Sequence, residues 1–324
     1  VDIFKNRIGI TFQNPEVPRF DLLNYAHLTK QGVVLDIGES GDYDDKFVES
    51  PSIFYEPSLQ KLVMLYTAYK VVDSSMVACI AYATSDDGIT WTKQGIFWER
   101  TNVVGTPDRG GVTGPVMVKD GGNYYLFYIG LTNAGYEGGN KTICCAVGTS
   151  LSDFTGGTAT RKGAQIRPNG TGWYGSAVWH TSFIHKDGIW YCFFNATASS
   201  PSYERIGVAC SKSLDGPWSV VSVNLLDYIN DADTTLNQKA IDPSVVKVGS
   251  YYIMAYGAGN AEGKVQDNWA YTTDADFPYG WKFGGVGVIP SETYDIKFAH
   301  KPFLLCIENK IYHYYTALNN SNHR

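Results

Sequence analysis

One pattern is written five times along this chain: a short apolar run opened by a small residue or proline, a turn, then an aromatic strand. The copies begin at Glu49 (ESPSIFYEPSLQKLVMLYTAY), Thr113 (TGPVMVKDGGNYYLFYIG), His180 (HTSFIHKDGIWYCFFNA), Ile241 (IDPSVVKVGSYYIMAYG) and His300 (HKPFLLCIENKIYHYYTA). With Pro51, Pro115, Ser182, Pro243 and Pro302 as equivalent marks, the spacings are 64, 67, 61 and 59 residues. Such an interval is too regular for chance and too long for a solenoid. It holds four short strands, which predicts the blades of a propeller. The expected fold is all-β: a single five-bladed β-propeller domain over residues 1–324, with blades starting near 49, 113, 180, 241 and 300 and residues 1–48 as a closing segment.

Within each copy the first run (PSIFY, PVMV, SFIH, PSVVKV, PFLLCI) is apolar on both faces, as an innermost strand packed between blades should be. The second run carries tyrosines and alternates. A third ends in Ser or Thr (CIAYATS, CAVGTS, IGVACS, NWAYTT), and a turn then leads to Trp91, Trp218 or Trp281. In the second copy this last signal is reduced to LSDFTGG, without the tryptophan. The turn segment SDDGITW resembles the Asp-box hairpin of sialidase-type propellers but is one residue short, and it reads as structural. The fifth copy reaches Arg324 just after its second strand, so RIGITF or GVVLDIG is expected to supply an outer strand and protect the edge, unless the chain continues.

Composition narrows the partners. A net charge of -6 and only 18% charged residues give no basic field for phosphates, which argues against nucleic acid. No run of 18 apolar residues occurs, so no membrane partner is expected. The opening VDIFKNRIGITF lacks the features of a signal peptide, yet the chain starts at Val, which is compatible with a removed leader. A secreted or periplasmic setting is favoured over a cytoplasmic one, and nothing sets an oligomeric state. The six cysteines form no CxxC pair, and Cys79 and Cys144 occupy equivalent positions in consecutive copies, which suggests core hydrophobes rather than disulfides. Aromatic content of 14% has two readings, gap filling between blades and stacking on sugar rings.

In a propeller, the start of each inner strand and the loop between the second and third strands converge on one end of the central channel. The residues before the marks are Glu49, Thr113, His180, Ile241 and His300, followed by Ser50, Gly114, Thr181, Asp242 and Lys301; the loops add Asp73, Glu137, Glu204, Arg205 and Glu262. Ionisable groups are enriched in this ring, and such groups are costly to desolvate without a purpose. The alternative is a water-filled channel in which they merely pair.

The five copies, their spacing and the D-P-S opening at Asp242 resemble the five-bladed propeller glycosidases, the superfamily that includes glycoside hydrolase families 32, 43, 62, 68, 117 and 130. The resemblance spans about residues 48–324 and implies a carbohydrate substrate. In family 43, D-P and E-G-P motifs on inner strands carry the base, an auxiliary Asp and the acid; this chain has Asp242 in IDPS and Glu49 in ESPS, in a different blade order. Glycoside cleavage needs an acid for the leaving oxygen and a carboxylate on the opposite side. Glu49 is the expected acid and Asp242 the base or nucleophile, or the reverse, with Glu204 tuning the acid or simply pairing with Arg205. His300 in AHKP resembles a family 43 histidine that helps hold a cation through water, so a channel Ca²⁺ is compatible although no cofactor is required. His180 is expected to bind a hydroxyl, or to act as acid as is thought of a histidine in family 117. Trp173 and Trp179 form a sugar-stacking wall or pack between blades. Asp108 and Arg109 contact a sugar or form an exposed turn pair. Three functions remain open: an exo-acting hydrolase of a terminal sugar, a furanoside among the options; a phosphorylase using Lys301, His300, Arg205 and Arg109 for phosphate; and a non-catalytic glycan-binding propeller.

Overall fold

The structure, a computed structural model, describes residues 10–11, 28–198, 204–221, 225–226, 239–259, 265–307 and 310–320. Among these, the strands follow the repeat. After β1 (Ile10–Thr11), the first copy folds as β2 (Phe47–Glu56), β3 (Lys61–Val72), β4 (Ser75–Ser85) and β5 (Thr92–Trp98). The second is β6 (Gly111–Asp120), β7 (Asn123–Leu131), β8 (Lys141–Gly148) and β9 (Thr160–Ile166). The third is β10 (Ala177–Lys186), β11 (Ile189–Thr197), β12 (Glu204–Ser211) and β13 (Ser219–Val220). The fourth is β14 (Lys239–Val248), β15 (Tyr251–Gly259), β16 (Val265–Thr273) and β17 (Lys282–Val288), and the fifth is β18 (Phe298–Ile307) and β19 (Lys310–Leu318). Each copy is an antiparallel meander, and β1 adds to the outer side of β19. Of the two candidate closing segments, RIGITF contains that strand, whereas GVVLDIG forms none. No helix among the described residues is long and apolar enough to cross a membrane.

Contacts between meanders run in chain order and return to the first. Gly114 N–H donates to Thr67 Oγ1 (2.9 Å) between the first and second, and the Phe127 and Phe183 rings meet at 4.2 Å between the second and third. Val245 N–H donates to Ser182 Oγ (2.9 Å), Leu304 N–H to Ser244 Oγ (2.8 Å), and Ser50 N–H to Thr316 Oγ1 (3.0 Å). Each hydroxyl satisfies a backbone donor that the curled sheets leave outside their ladders. Aromatic pairs fill the wedges between sheets. In the second meander Phe154 takes over from the missing tryptophan, stacking on Phe97 at 5.2 Å. Elsewhere the turn is built as its sequence suggests: Asp87 Oδ1 accepts the Ile89 and Thr90 N–H groups, and Trp91 Nε1 donates to Gly88 O. The cysteines are free; Cys79 and Cys144 are buried, and burial pushes both thiols up to about 12.

The inner strands are longer than the apolar runs, because each continues through a register shift into the polar ring. The shifts fall at Glu49/Ser52, Thr113/Val116, Val178/Thr181, Ile241/Ser244 and His300/Phe303. Four of them have a positive φ just before proline, at Ser50 (56°), Gly114 (58°), Asp242 (55°) and Lys301 (55°). A bulge re-aims a side chain, and proline fits there because no ladder donor is needed. Three of the four are not glycine, so each carries strain of about 1–3 kcal/mol that the surrounding sheets must hold.

Candidate active site

The bulges bring Ser50, Asp242, Lys301 and, from β10 of the third repeat, His180 to the same end of the inner strands. Asp242 Oδ1 lies 2.7 Å from His180 Nδ1, and His180 Nε2 lies 2.9 Å from Ser50 Oγ. Glu49 Oε1 pairs with Lys301 Nζ at 2.8 Å, and Glu49 Oε2 accepts from Tyr136 O–H at 3.3 Å. Lys301 also reaches Glu137 Oε1 and Tyr136 Oη, both at 3.4 Å. Glu204 pairs with Lys239 (2.9 Å) and accepts from Asn195 Nδ2 (3.3 Å), while the single parallel bridge between β12 and β14 sets Glu204 beside Lys239.

Burial raises the cost of every charge here, and the neighbours decide which way each group moves. Burial pushes Asp242 up, but His180, Lys301 and His300 together hold it down at about 2. Glu204 moves the opposite way: burial raises it, Lys239 only partly offsets that, and the nearby charges of Asp242 and Glu137 raise it further. Burial pushes Lys301 down, yet Glu49, Glu137 and Asp242 more than compensate and hold it above the ordinary lysine range. The surroundings thus favour the ionised form of Asp242 and shift Glu204 towards its protonated form.

Several expected site residues gather here and others do not. Glu49, Asp242, His180, His300 and Lys301 are at the centre, and Glu204 is electrostatically coupled to Asp242. The Glu49 side chain is fully buried against Lys301, unlike Glu204, whose side chain keeps 16% of its surface exposed. Both nitrogens of His180 lie against protein groups, Nδ1 by Asp242 Oδ1 and Nε2 by the Ser50 hydroxyl. Glu204 and Arg205 begin β12, and neighbours on a strand point to opposite faces. Trp179 is half-buried and packs with Phe47, Tyr69 and Tyr136, with Lys141 Nζ 5.6 Å from its ring. Trp173 is a core residue, not a sugar-stacking wall: it is buried against Phe194 and over Gly207, where a Cβ would lie 2.1 Å from the indole. Glu262 lies outside the described residues, and Asp73 sits in an exposed tight turn.

Asp108 is not an exposed sugar contact either. It is buried, accepts from Tyr128 O–H (2.9 Å) and Thr101 O–H (3.2 Å), and pairs with Arg161, which stacks over Trp98. Arg109 donates from Nε to Thr132 O (2.6 Å) and from Nη2 to Asn133 Oδ1 (3.2 Å), bracing the loop that carries Tyr136 and Glu137. Replacing Asp108 by Ala leaves the buried Tyr128 hydroxyl and the half-buried Arg161 without their shared acceptor, so a loss of about 1–3 kcal/mol in stability is expected, read as a lower melting midpoint with unchanged KM.

Tyr136, Glu137 and Lys239 are site residues to which the sequence assigned no role. Glu137 stood in the right loop, but the signal that singles it out, a positive φ of 48° beside Lys301, exists only in three dimensions. Among the described residues no group of three or more His, Cys, Asp or Glu is arranged to hold a metal ion directly. A groove of about 270 Å³ between the 28–36 segment, β2 and β19 meets the central cluster, among the described residues, only at Glu49.

No family model matches the chain, and no curated protein matches it in sequence. Solved structures do. One described as a glycoside hydrolase superposes with TM-score 0.72 at 18% identity, covering 94% of this chain and 92% of its own. A β-1,2-mannobiose phosphorylase from Listeria innocua, solved with β-1,2-mannobiose, gives TM-score 0.65 at 11% identity with the same 94% and 92% coverage. An α-L-arabinofuranosidase from Lactobacillus brevis gives 0.64 at 12% identity, covering 85% and 86%. The chain shares its fold with these proteins and with glycoside hydrolases of families 43 and 117.

Proposed function

We propose that the five meanders are the blades of a five-bladed propeller whose central funnel hydrolyses a glycosidic bond at the terminal sugar of an oligo- or polysaccharide. One observation carries this reading: two coupled carboxyls from adjacent repeats, Asp242 and Glu204, are driven to opposite protonation preferences by their surroundings. Pairs of that kind mark the acid and the base of a proton-transfer site. Glu204 donates its proton to the leaving oxygen, and Asp242 activates water or attacks the anomeric carbon. The roles differ from those expected from spacing. Glu49 is committed to Lys301 and is assigned to holding that lysine, while Glu204 takes the acid role.

Hydrolysis is favoured over phosphorolysis because two of the four cations expected to hold phosphate, Lys301 and Arg109, are committed elsewhere. Lys301 is paired with Glu49 and Glu137, and Arg109 braces its loop. The test is incubation with aryl glycosides and natural oligosaccharides, with and without phosphate. Free sugar that appears independently of phosphate supports the reading, and a sugar phosphate or mere binding overturns it. Asp242→Asn should abolish turnover with an unchanged circular dichroism spectrum; full activity in that variant excludes the site.

The pH dependence follows from the two shifts. Catalysis needs Asp242 ionised and Glu204 protonated. Activity should therefore persist in acid until pH falls to about 2, where Asp242 takes a proton, and decline in base as pH passes the raised Glu204 value. A kcat/KM profile that rises with pH through the ordinary carboxylate range and stays flat above it contradicts this assignment.

A further inference from the structure

Ser50, His180 and Asp242 come from the first, third and fourth repeats and stand in the hydroxyl–imidazole–carboxylate order of a serine hydrolase triad, at 2.9 and 2.7 Å. Ser50 even holds a positive φ, the kind of strained backbone that presents a nucleophile. Two facts exclude a nucleophilic role. The residue after Ser50 is Pro51, which has no N–H to stabilise an oxyanion, and the Ser50 N–H is already donated to Thr316 Oγ1 at 3.0 Å.

We infer that the chain of contacts runs the other way: Ser50 and His180 are positioning residues whose purpose is to fix the Asp242 carboxylate as the base of the glycosidase site. This rests on the function proposed above. The Ser50 hydroxyl engages Nε2, and Nδ1 lies 2.7 Å from Asp242 Oδ1, close enough to pair with the carboxylate although the ring is not aligned for a linear hydrogen bond. The orientation of a carboxylate–imidazole pair is set by what the far nitrogen bonds. With Oδ1 held in this way, Oδ2 is the oxygen left to act: it is buried and has no hydrogen-bond partner among the described residues. Gly114 completes the seat, since a Cβ there would fall 3.1 Å from His180 Cδ2 and crowd the ring out of line. The charges facing the pair are Lys301 and His300 from β18, Glu204 from β12 and Asp267 from β16. The two β18 groups favour the ionised form of Asp242 and the two carboxyls oppose it, so removal of His180 tips the balance towards protonation.

Two measurements test this separately from the function itself. In ¹⁵N-labelled protein, the His180 Nδ1 resonance should be of the protonated type, and Ser50→Gly, which removes the hydroxyl yet tolerates the positive φ, should mix the tautomers. An unprotonated Nδ1 in the parent overturns the inference whether or not any sugar is cleaved. Once a substrate is in hand, Ser50→Gly should lower kcat about tenfold with KM little changed. His180→Ala should move the acid limb of the kcat/KM profile to higher pH, and His180→Asn, which keeps a donor near the Nδ1 position, should restore most of the loss. An acid limb unmoved in His180→Ala, or no difference between the Ala and Asn variants, refutes positioning. Loss of all turnover in the parent with the Nδ1 result intact would instead count against the glycosidase reading alone.

Discussion

Glu204→Gln should slow cleavage of a natural glycoside by about a thousandfold while barely affecting an aryl glycoside with an acidic phenol. A positioned general acid contributes about 10²–10⁴ in rate. The contribution matters most when the departing oxygen is a poor leaving group and vanishes when it needs no proton. Glutamine preserves the contact from Asn195 and fills the same volume, so the fold should survive. The same substitution removes the raised carboxyl, so the basic limb of the pH profile should disappear for whatever activity remains. Equal losses on both substrates would show that Glu204 serves binding or structure and that another group donates the proton. Glu137 is the residue to examine next, because it also retains exposure at the centre and lies 3.4 Å from Lys301.

The repeat made the architecture legible because its cause is local. Each copy places a small residue or proline where the inner strand bulges and aromatic rings in the wedge, and the first three add an Asp-Gly step at a turn, all of them choices made one residue at a time. For the same reason the ring of Glu49, His180, Asp242, His300 and Lys301 could be read by alignment on the marks alone. Their pairing could not. Spacing puts Glu49 and Lys301 at the same end of neighbouring inner strands, but only packing decides that they neutralise each other at 2.8 Å while burial and the charge of Asp242 push the Glu204 carboxyl up. Asp108 fails for a related reason: GTPDRGG reads as a surface turn, and nothing local announces that Arg161, 53 residues away, folds back to meet it. Glu137 occupies a loop whose course is set by Arg109 and by the Gly135 N–H bonded to Met76 O at 2.7 Å, contacts across two repeats that no periodicity encodes.

Lys301→Met should be the most destabilising single change at the centre, and its pattern separates structure from catalysis. The lysine side chain is 4% exposed and that of Glu49 is fully buried, so removal of the cation strands a carboxylate in a medium that cannot solvate it. Breaking such a pair costs about 3–5 kcal/mol, which for a chain of this size corresponds to a fall of roughly 5–8 °C in the melting midpoint. The folded lysine sits above its ordinary value, so its contribution is complete at neutral pH and is lost only in strong base. The damage in the variant should therefore be evident at pH 7 and shrink in acid, where the stranded carboxyl can take a proton. Adding Glu49→Gln to Lys301→Met should recover most of the midpoint, because an uncharged amide can stay buried and still accept from Tyr136. Activity should not recover with stability, since Lys301 also helps to hold Asp242 ionised. A double variant that regains both would mean that the lysine serves the fold alone, and one that regains neither would place the main partner of Lys301 at Glu137 instead of Glu49.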